Sequence, residues 1–239
     1  MLCGGRGFGR GGGHATVPFV AANPWFSWSY ITQHASELLS ATRQHVALTV
    51  WSVLVATCIA VPMAVVARRW GWSRGTILTG VGILYTIPSL ALISVLQTYF
   101  GLRPITVEIA LVGYALLIIV RNTLIGLDGV PAEVREAALG MGFGPTRLLT
   151  RVEIPLALPS IMAGIRVATV STIALVTVGA IVGNGGLGGL ILEGLNNLYR
   201  AEIMAAALGC VLLAFIADLL LLGLQRLVTP WTRVQAGAR

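Results

Sequence analysis

Three glycines in the last third of the sequence have the spacing found in the dinucleotide-binding loops of some proteins. Gly183, Gly185 and Gly188 match the G-x-G-x-x-G fingerprint, in which a β-strand precedes the glycines and a helix follows them. Here they follow a long apolar run typical of a helix, so we interpret them as a tight turn or a close helix contact. A phosphate-binding loop that hydrolyses ATP needs a lysine, and the sequence contains none. We therefore predict that this chain binds no cofactor and hydrolyses no ATP.

Histidine and cysteine form no catalytic or metal-binding pattern in this sequence. The histidines all lie within the first 45 residues, without the spacing of metal ligands and with no nucleophile motif nearby. The cysteines are odd in number, and two of them lie inside apolar runs, where a small buried side chain is the expected role. These residues are His14, His34, His45, Cys3, Cys58 and Cys210. We predict no metal site and no catalytic residues, so the chain is not expected to be an enzyme.

Four polar residues inside long apolar runs are the remaining candidates for chemistry. An ionisable group at the centre of a bilayer costs about 2.5–3.5 kcal/mol on insertion scales, so it usually faces a cavity or a partner. Arg121 and Arg166 are expected near the cytoplasmic ends of their runs, as anchors that reach the headgroups or as members of an ion pair or gate. Asp218 lies deeper and could pair with either arginine. Asn122 is expected either to hydrogen-bond a neighbouring helix or to line a pathway.

The composition identifies the environment of these residues as a membrane. The chain has 239 residues, of which 56% are hydrophobic and 10% are charged, and its mean hydropathy is +0.86. Soluble domains carry roughly 25% charged residues, so this chain has too little polar surface for a soluble enzyme. The net charge of +7 comes entirely from arginines on the basic side. Because these arginines cluster between apolar runs, we interpret them as a topology signal and predict membrane lipid, not nucleic acid, as the partner.

The apolar runs predict an all-α membrane protein with about five transmembrane helices. The predicted spans cover about 46–67, 77–102, 105–127, 159–182 and 203–228, with a kink expected at Pro88. An interfacial helix rich in aromatic residues is expected over 25–44. The flanking segments are a Gly/Arg-rich disordered tail over 1–24, or a start codon assigned too early, and a cytoplasmic tail over 229–239.

The arginines also predict the orientation of the helices. With the N-terminus outside, nine arginines fall in or near the cytoplasmic segments, whereas the outer segments near the membrane contain three. Such an excess of positive charge is typical of the cytoplasmic side. We therefore expect the N-terminus outside, the C-terminus inside, and the connection over 129–155 in the cytoplasm.

This cytoplasmic connection is predicted to form a helix, a turn and a second helix along the membrane surface. Pro131 suits the first turn of a helix, where Glu133 and Glu136 interact favourably with the helix dipole. Glycines at 140, 142 and 144 are expected to end this helix, and a second short helix, about 146–153, is expected to stop before Pro155. An element too polar to insert and too apolar to remain free in water is expected to bind a partner protein.

The residues of this connection resemble the EAA signature of ABC importer permeases. That signature consists of Glu-Ala-Ala, three residues, Gly, nine residues and then Ile-x-Leu-Pro, and both spacings hold here. The matching residues, with aliphatic replacements at 152 and 154, are Glu136, Ala137, Ala138, Gly142, Val152, Ile154 and Pro155. The resemblance implies that these residues couple the chain to an ATPase.

Other short stretches are similar to permease subunits for glycine betaine, choline, carnitine or proline. They are Arg121-Asn122-Thr123, Gly164-Ile165-Arg166 and Gly185-Gly186-Leu187-Gly188, within a resemblance that covers about 33–227. The resemblance implies a five-helix core of the methionine-permease type in a bacterial plasma membrane. It also implies a cytoplasmic ATPase dimer that binds ATP and Mg²⁺, a second permease subunit in a homodimer or heterodimer, and an extracytoplasmic solute-binding protein.

Other functions remain open from the sequence alone. A type I ABC permease for another small solute, such as methionine or taurine, is the alternative within transport. A membrane-embedded enzyme or scaffold would need intramembrane catalytic pairs or a metal motif, and we find neither in the sequence. A channel would need no connection that docks on an ATPase.

Overall fold

The computed structural model describes residues 23–231, and this part of the chain is helical without β-strands. The helices are α1 (Trp28–Gln33), α2 (Ala35–Arg69), α3 (Gly71–Thr86), α4 (Ser89–Phe100), α5 (Pro104–Asp128), α6 (Ala132–Gly140), α7 (Pro145–Leu148), α8 (Ile154–Val176), α9 (Leu187–Asn196) and α10 (Arg200–Val228). A π-helical turn, Leu149–Glu153, joins α7 to α8, and a 3₁₀ turn, Thr177–Val182, follows α8. The tail expected over 1–24 and that over 229–239 fall almost entirely outside the described residues.

Four helical runs are long and apolar enough to cross a membrane. They are α2, α5, the run Pro145–Val182 and α10, while α3 and α4 together form a fifth, bent pair. The prediction of an all-α membrane protein with about five spans is therefore confirmed.

The first span begins earlier than the sequence analysis predicts. The expected interfacial helix over 25–44 is divided at His34, where α1 ends, and residues 35–44 belong to the 35-residue helix α2. Neither glycine nor proline occurs between Ala35 and Val61, so nothing interrupts the helix on the way into the membrane. In α1, Tyr30 stacks on His34 and meets Tyr199 edge-on. Burial, together with the nearby carboxylates of Glu202 and Glu37, raises the pKa of Tyr30 above its usual range.

The second span is broken rather than kinked at Pro88. Ile87 has an extended backbone (φ −66°, ψ 128°), which is the conformation that a following proline favours. The axes of α3 and α4 differ by 93° across this break. Helix α4 then ends at Phe100, because Gly101 adopts a positive φ of +69° that stops the helix.

The fourth span begins before Pro159, where the sequence analysis placed it. The prediction that the second short helix stops before Pro155 is wrong. The π-helical turn leads directly into α8, and Pro155 lies in the first turn of α8. A proline is tolerated in a first turn, since its missing N–H has no partner there in any case. The second half of the connection over 129–155 therefore continues into the fourth span as one helical run from Pro145 to Val182.

Helix α5 lies at the centre of the bundle, between α2 and α8. Small residues of α2, Ala56, Ala60, Ala64 and Ala67, face Ala115, Ile119, Val120 and Leu124 of α5 and are completely buried. In a membrane, helices associate through close packing of this kind, because lipid is as apolar as the side chains. On the other side of α5, Asn122 packs against Gly164 of α8, where a Cβ would lie 2.5 Å from the Cβ of Asn122.

This contact predicts the effect of adding one methyl group. We expect Gly164→Ala to destabilise the protein by about 1–3 kcal/mol, since a Cβ at this position forces α5 and α8 apart. The matched control is Gly80→Ala in α3, because nothing lies within 4 Å of a Cβ at position 80. Thermal unfolding in detergent should show a lower midpoint for Gly164→Ala alone. Equal midpoints for the two variants would contradict the close crossing.

Candidate functional site

Helix α6 places the first part of the Glu-Ala-Ala motif on an open surface. Glu136 and Ala137 are exposed, whereas Ala138 is buried on the opposite side, with 2% of its surface accessible. Three apolar side chains of the same segment, Val134, Leu139 and Met141, are also exposed. A carboxylate beside exposed apolar side chains is suited to contact another protein.

The turn after α6 requires the glycine of the motif. Gly142 has a φ of +80°, its N–H donates to the carbonyl of Leu139, and the N–H of Phe143 donates to the carbonyl of Ala138. This pair of hydrogen bonds is the Schellman arrangement, in which the positive φ favours glycine. The guanidinium of Arg147 lies 4.6 Å from the centre of the Phe143 ring and holds the start of α7 against the turn.

The remaining motif residues lie beneath this surface. Val152, Ile154 and Pro155 are half-buried at the π-helical turn and the start of α8. They connect the exposed helix α6 to a membrane span and offer little surface of their own. The seven motif residues therefore divide into a helix with an exposed surface (α6), a turn at Gly142 and a junction with α8.

A buried carboxylate holds this junction in place. Glu153 is 8% exposed, and its Oε1 atom accepts a hydrogen bond from Nη2 of Arg68 at 2.9 Å. The same Oε1 lies 3.2 Å from Nε of Arg135, within ion-pair distance but without the alignment of a hydrogen bond. Arg135 instead donates from Nη2 to the carbonyl of Leu127 at 2.9 Å. Glu153 thus connects α2, α6 and the end of α5.

Asp128 extends this set of ion pairs to α3. Its Oδ2 atom lies 2.9 Å from Nη2 of Arg74, and its Oδ1 atom lies 3.6 Å from Nε of Arg68. We call Arg68, Arg74, Asp128, Arg135 and Glu153 the helix-end ion network. In the sequence, the arginines of this network indicate only the topology, and no motif indicates a role for the two acids. The sequence signal that could have indicated this network is the presence of two acidic residues among the many arginines at the helix ends.

Arg166 and Asp218 form a bidentate ion pair between α8 and α10. Nη2 of Arg166 lies 2.8 and 2.9 Å from the two carboxylate oxygens, and Nε donates to Oδ1 at 3.0 Å. Gln225 accepts from Nη1 of Arg166 and donates to the carbonyl of Pro159. By sequence, Arg121 and Arg166 are both possible partners of Asp218, and the structure pairs Asp218 with Arg166. Arg166 lies twelve residues, or about 18 Å, beyond the start of α8. It therefore lies in the middle of the helix, and the prediction that it lies near one end is wrong.

Arg121 and Asn122 point to different sides of α5. The amide of Asn122 donates to the carbonyl of Ile118 in its own helix and packs against Gly164. Arg121 is exposed in a cavity between α3 and α5. The four candidate pathway or gate residues therefore lie at three separate places: the Arg166–Asp218 pair, Asn122 and Arg121. Among the candidates, only Arg166 and Asp218 contact each other.

The glycines at the end of the 3₁₀ turn and in the first turn of α9 form close backbone contacts. Gly183 and Gly186 have positive φ angles of +75° and +52°. A Cβ on Gly186 would lie 2.7 Å from that of His45, and one on Gly188 would lie 2.4 Å from the backbone of Thr177. His45 is fully buried, with Nε2 2.9 Å from the carbonyl of Ile173. These glycines therefore permit a turn and a tight helix contact, in agreement with the sequence analysis.

Comparison with known proteins gives one family and a consistent set of relatives. Residues 46–234 match the family described as binding-protein-dependent transport system inner membrane component. The choline transport system permease protein OpuBB of Bacillus subtilis is 37% identical over 202 residues, which cover 84% of this chain and 93% of that protein. The osmoprotectant import permease protein OsmW of Salmonella typhimurium is 39% identical over 206 residues, covering 84% and 96%.

The fold is also similar to that of a solved transporter. A chain of the MetNI methionine ABC transporter, in an inward-facing conformation, superposes with a TM-score of 0.73 at 21% identity. The superposition covers 82% of this chain and 98% of that chain. The prediction of a methionine-permease-like core is confirmed at the level of the fold.

Removal of the Glu153 charge is expected to loosen the connection between α5 and α8. In Glu153→Gln, Arg68 and Arg135 lose the carboxylate that they share, while Arg68 keeps its longer contact with Asp128 and Arg135 keeps its hydrogen bond to Leu127. Because these remaining contacts offset part of the cost of breaking a buried ion pair, we expect a destabilisation of about 1–3 kcal/mol. We expect a lower unfolding midpoint and faster trypsin cleavage of residues 132–153. The matched control, Glu133→Gln, removes an exposed charge from α6 and should change neither measurement. Wild-type cleavage rates in Glu153→Gln would contradict this role of the ion network.

Proposed function

Since this chain belongs to the family of binding-protein-dependent transport system inner membrane components, we propose that it is the permease subunit of an ATP-driven importer for compatible solutes. Glycine betaine, choline, carnitine or proline is the expected class of solute. The observation that supports this class is the identity of 37–39% to permeases named for choline and osmoprotectant import, over most of both chains. Methionine or taurine is disfavoured, because the methionine transporter shares the fold at only 21% identity.

The exposed surface of α6 is proposed to bind a cytoplasmic ATPase. Glu136 and Ala137 face outward next to exposed apolar side chains, and nothing in the described part of the chain covers them. The positive φ at Gly142 and the ion pairs of Glu153 support this assignment, since together they fix the helix rigidly to the spans. A force applied to α6 would therefore move α2, α5 and α8 as connected bodies, and this displacement would switch the transporter between inward-open and outward-open states.

In this proposal ATP and Mg²⁺ bind the ATPase dimer, and this chain forms no covalent bond during transport. A second permease subunit, identical or different, completes the pathway, and a solute-binding protein delivers the solute on the outer side. A membrane-embedded enzyme or a channel is disfavoured, because the family is one of binding-protein-dependent transport components.

Solute uptake tests the coupling role of α6. We expect Glu136→Lys to reduce ATP-driven uptake of glycine betaine more than tenfold, because charge reversal in an interface costs several kcal/mol. The assay uses proteoliposomes with the whole transporter and its binding protein. Gly142→Asp should also reduce uptake, to a smaller extent, since Asp adopts a positive φ less readily than Gly but more readily than most residues. Co-purification of the ATPase with Glu136→Lys should fall in parallel.

Two variants on the same helix serve as controls. Glu133→Lys changes an equally exposed carboxylate in the first turn, and Gly140→Asp adds the same side chain where a Cβ meets nothing within 4 Å. Both should retain most of the uptake. Normal uptake by Glu136→Lys and Gly142→Asp would exclude α6 as the coupling element.

The proposed orientation predicts which residues can be labelled from each side. In a cysteine-free background, Thr146→Cys should react with a membrane-impermeant maleimide only in inverted vesicles, and Asn197→Cys only in intact cells. Both side chains are exposed, one before the π-helical turn and the other between α9 and α10. The opposite labelling pattern would place the helix-end ion network outside the cell and refute the proposed ATPase contact.

A further inference from the structure

Two tyrosine rings form adjacent walls of a cavity at the broken span. The rings of Tyr85 and Tyr114 have centroids 5.8 Å apart and planes inclined by 71°. Both line a cavity of about 430 Å³ at the break between α3 and α4, next to α8. A volume of this size is ordinary for a small-molecule site, which typically measures about 300–1,000 Å³.

Two residues at the break that line this cavity also have backbone carbonyls without a hydrogen-bond partner among the described residues. The hydroxyl of Tyr114 donates to the carbonyl of Ile87, which fixes the ring beside the break. Within residues 23–231, no donor reaches the carbonyls of Tyr85 and Thr86, the last two of α3. Unpaired carbonyls at a helix C-terminus carry partial negative charge, so this end of the cavity attracts a cation.

The lining of the cavity favours one kind of cation. It contains the hydroxyls of Ser89 and Ser171 but no carboxylate. A metal ion or a primary ammonium group needs strong acceptors in a dry site. A quaternary ammonium group donates no hydrogen bonds and is attracted to aromatic faces, especially when it is desolvated. The two rings and the partial charges of the break therefore suit a quaternary ammonium group.

An adjoining cavity contains an arginine that can receive a carboxylate. This cavity measures about 570 Å³ and is lined by Arg121 and Leu117, and also by Tyr85 and Thr86. Tyr85 thus borders both cavities. Tyr114 and Arg121 are seven residues apart in α5, so they lie on one face of the helix, about 10 Å apart along its axis. No hydrogen bond or ion pair to Arg121 exists within the part of the chain that the structure describes.

We infer that Tyr85 and Tyr114 bind the quaternary ammonium group of the transported solute, and that Arg121 binds the carboxylate of a zwitterionic solute. This inference rests on the proposed function and adds a solute-binding site within the permease itself. Tyr114 lies near the middle of the 25-residue helix α5, so the site lies roughly halfway across the membrane. Tyr85 is 44% exposed, which makes it the residue to change, whereas Tyr114 also holds the break together.

The test is equilibrium binding of radiolabelled glycine betaine and choline to the complete transporter in nanodiscs, without the solute-binding protein. Tyr85→Leu should weaken the binding of both solutes about 3- to 30-fold, because it removes the aromatic face. Tyr85→Phe keeps the face and should bind both within about twofold of wild type. Arg121→Gln should weaken only glycine betaine, since choline lacks a carboxylate. An uncharged analogue of choline, 3,3-dimethylbutanol, should compete with neither solute.

The outcomes separate this inference from the proposed function. If the wild-type transporter imports either solute with its binding protein, but Tyr85→Leu binds both solutes as wild type does, the site is wrong and the transport function stands. Equal weakening by Tyr85→Phe and Tyr85→Leu would also overturn it, since the hydroxyl and not the ring would then matter. A wild-type transporter that imports neither glycine betaine nor choline would refute both proposals.

Discussion

The carboxylate of Glu153 lies where α2, α5, α6 and the start of α8 meet, and it contacts arginines from two of these elements. A buried carboxylate is unfavourable by itself, because water solvates it better than protein or lipid does. Arg68 and Arg135 compensate for this cost only while α2 and α6 keep their positions relative to the π-helical turn. The charge therefore specifies one arrangement of the helices that meet here. Asp128 applies the same constraint to α3 through Arg74.

The constraint at Glu153 also acts on α8, because the helical backbone continues from Glu153 into that span without a break. Glu153 is the last residue of the π-helical turn, and α8 follows without an intervening loop. Helix α8 packs closely on α5 at Gly164 and pairs with α10 through Arg166. A displacement of α6 thus reaches α8 through a charged contact and an unbroken helix. Side chains of α8, including Ser171, line the cavity at the break between α3 and α4, so this helix connects the helix-end ion network with that cavity.

Much of this architecture follows from local properties of the sequence. Hydropathy identifies the spans because lipid leaves backbone groups no partner outside the helix, and the spacing of Glu136, Ala137 and Gly142 identifies the cytoplasmic motif. Other features depend on distant residues. Asp218 could pair with either arginine by sequence, and the packing of α10 against α8 selects Arg166. The helix boundary predicted at Pro155 is wrong, because a proline can either end a preceding helix or begin a following one. The π-helical turn, which the sequence does not reveal, places Pro155 at the beginning of α8.

The Arg166–Asp218 pair has a further structural meaning because α10 is scarcely buried in this chain. In its most apolar window only 6% of α10 is buried, compared with 61% for α5. Apolar side chains such as Leu212, Phe215 and Leu220 point outward, where lipid is as favourable as protein, so they do not hold the helix in place. An ion pair behaves differently, since separating two charges inside a bilayer is costly. Together with the packing of α9, this pair fixes α10 to the bundle, and the apolar face of α10 remains available to lipid or to a second subunit.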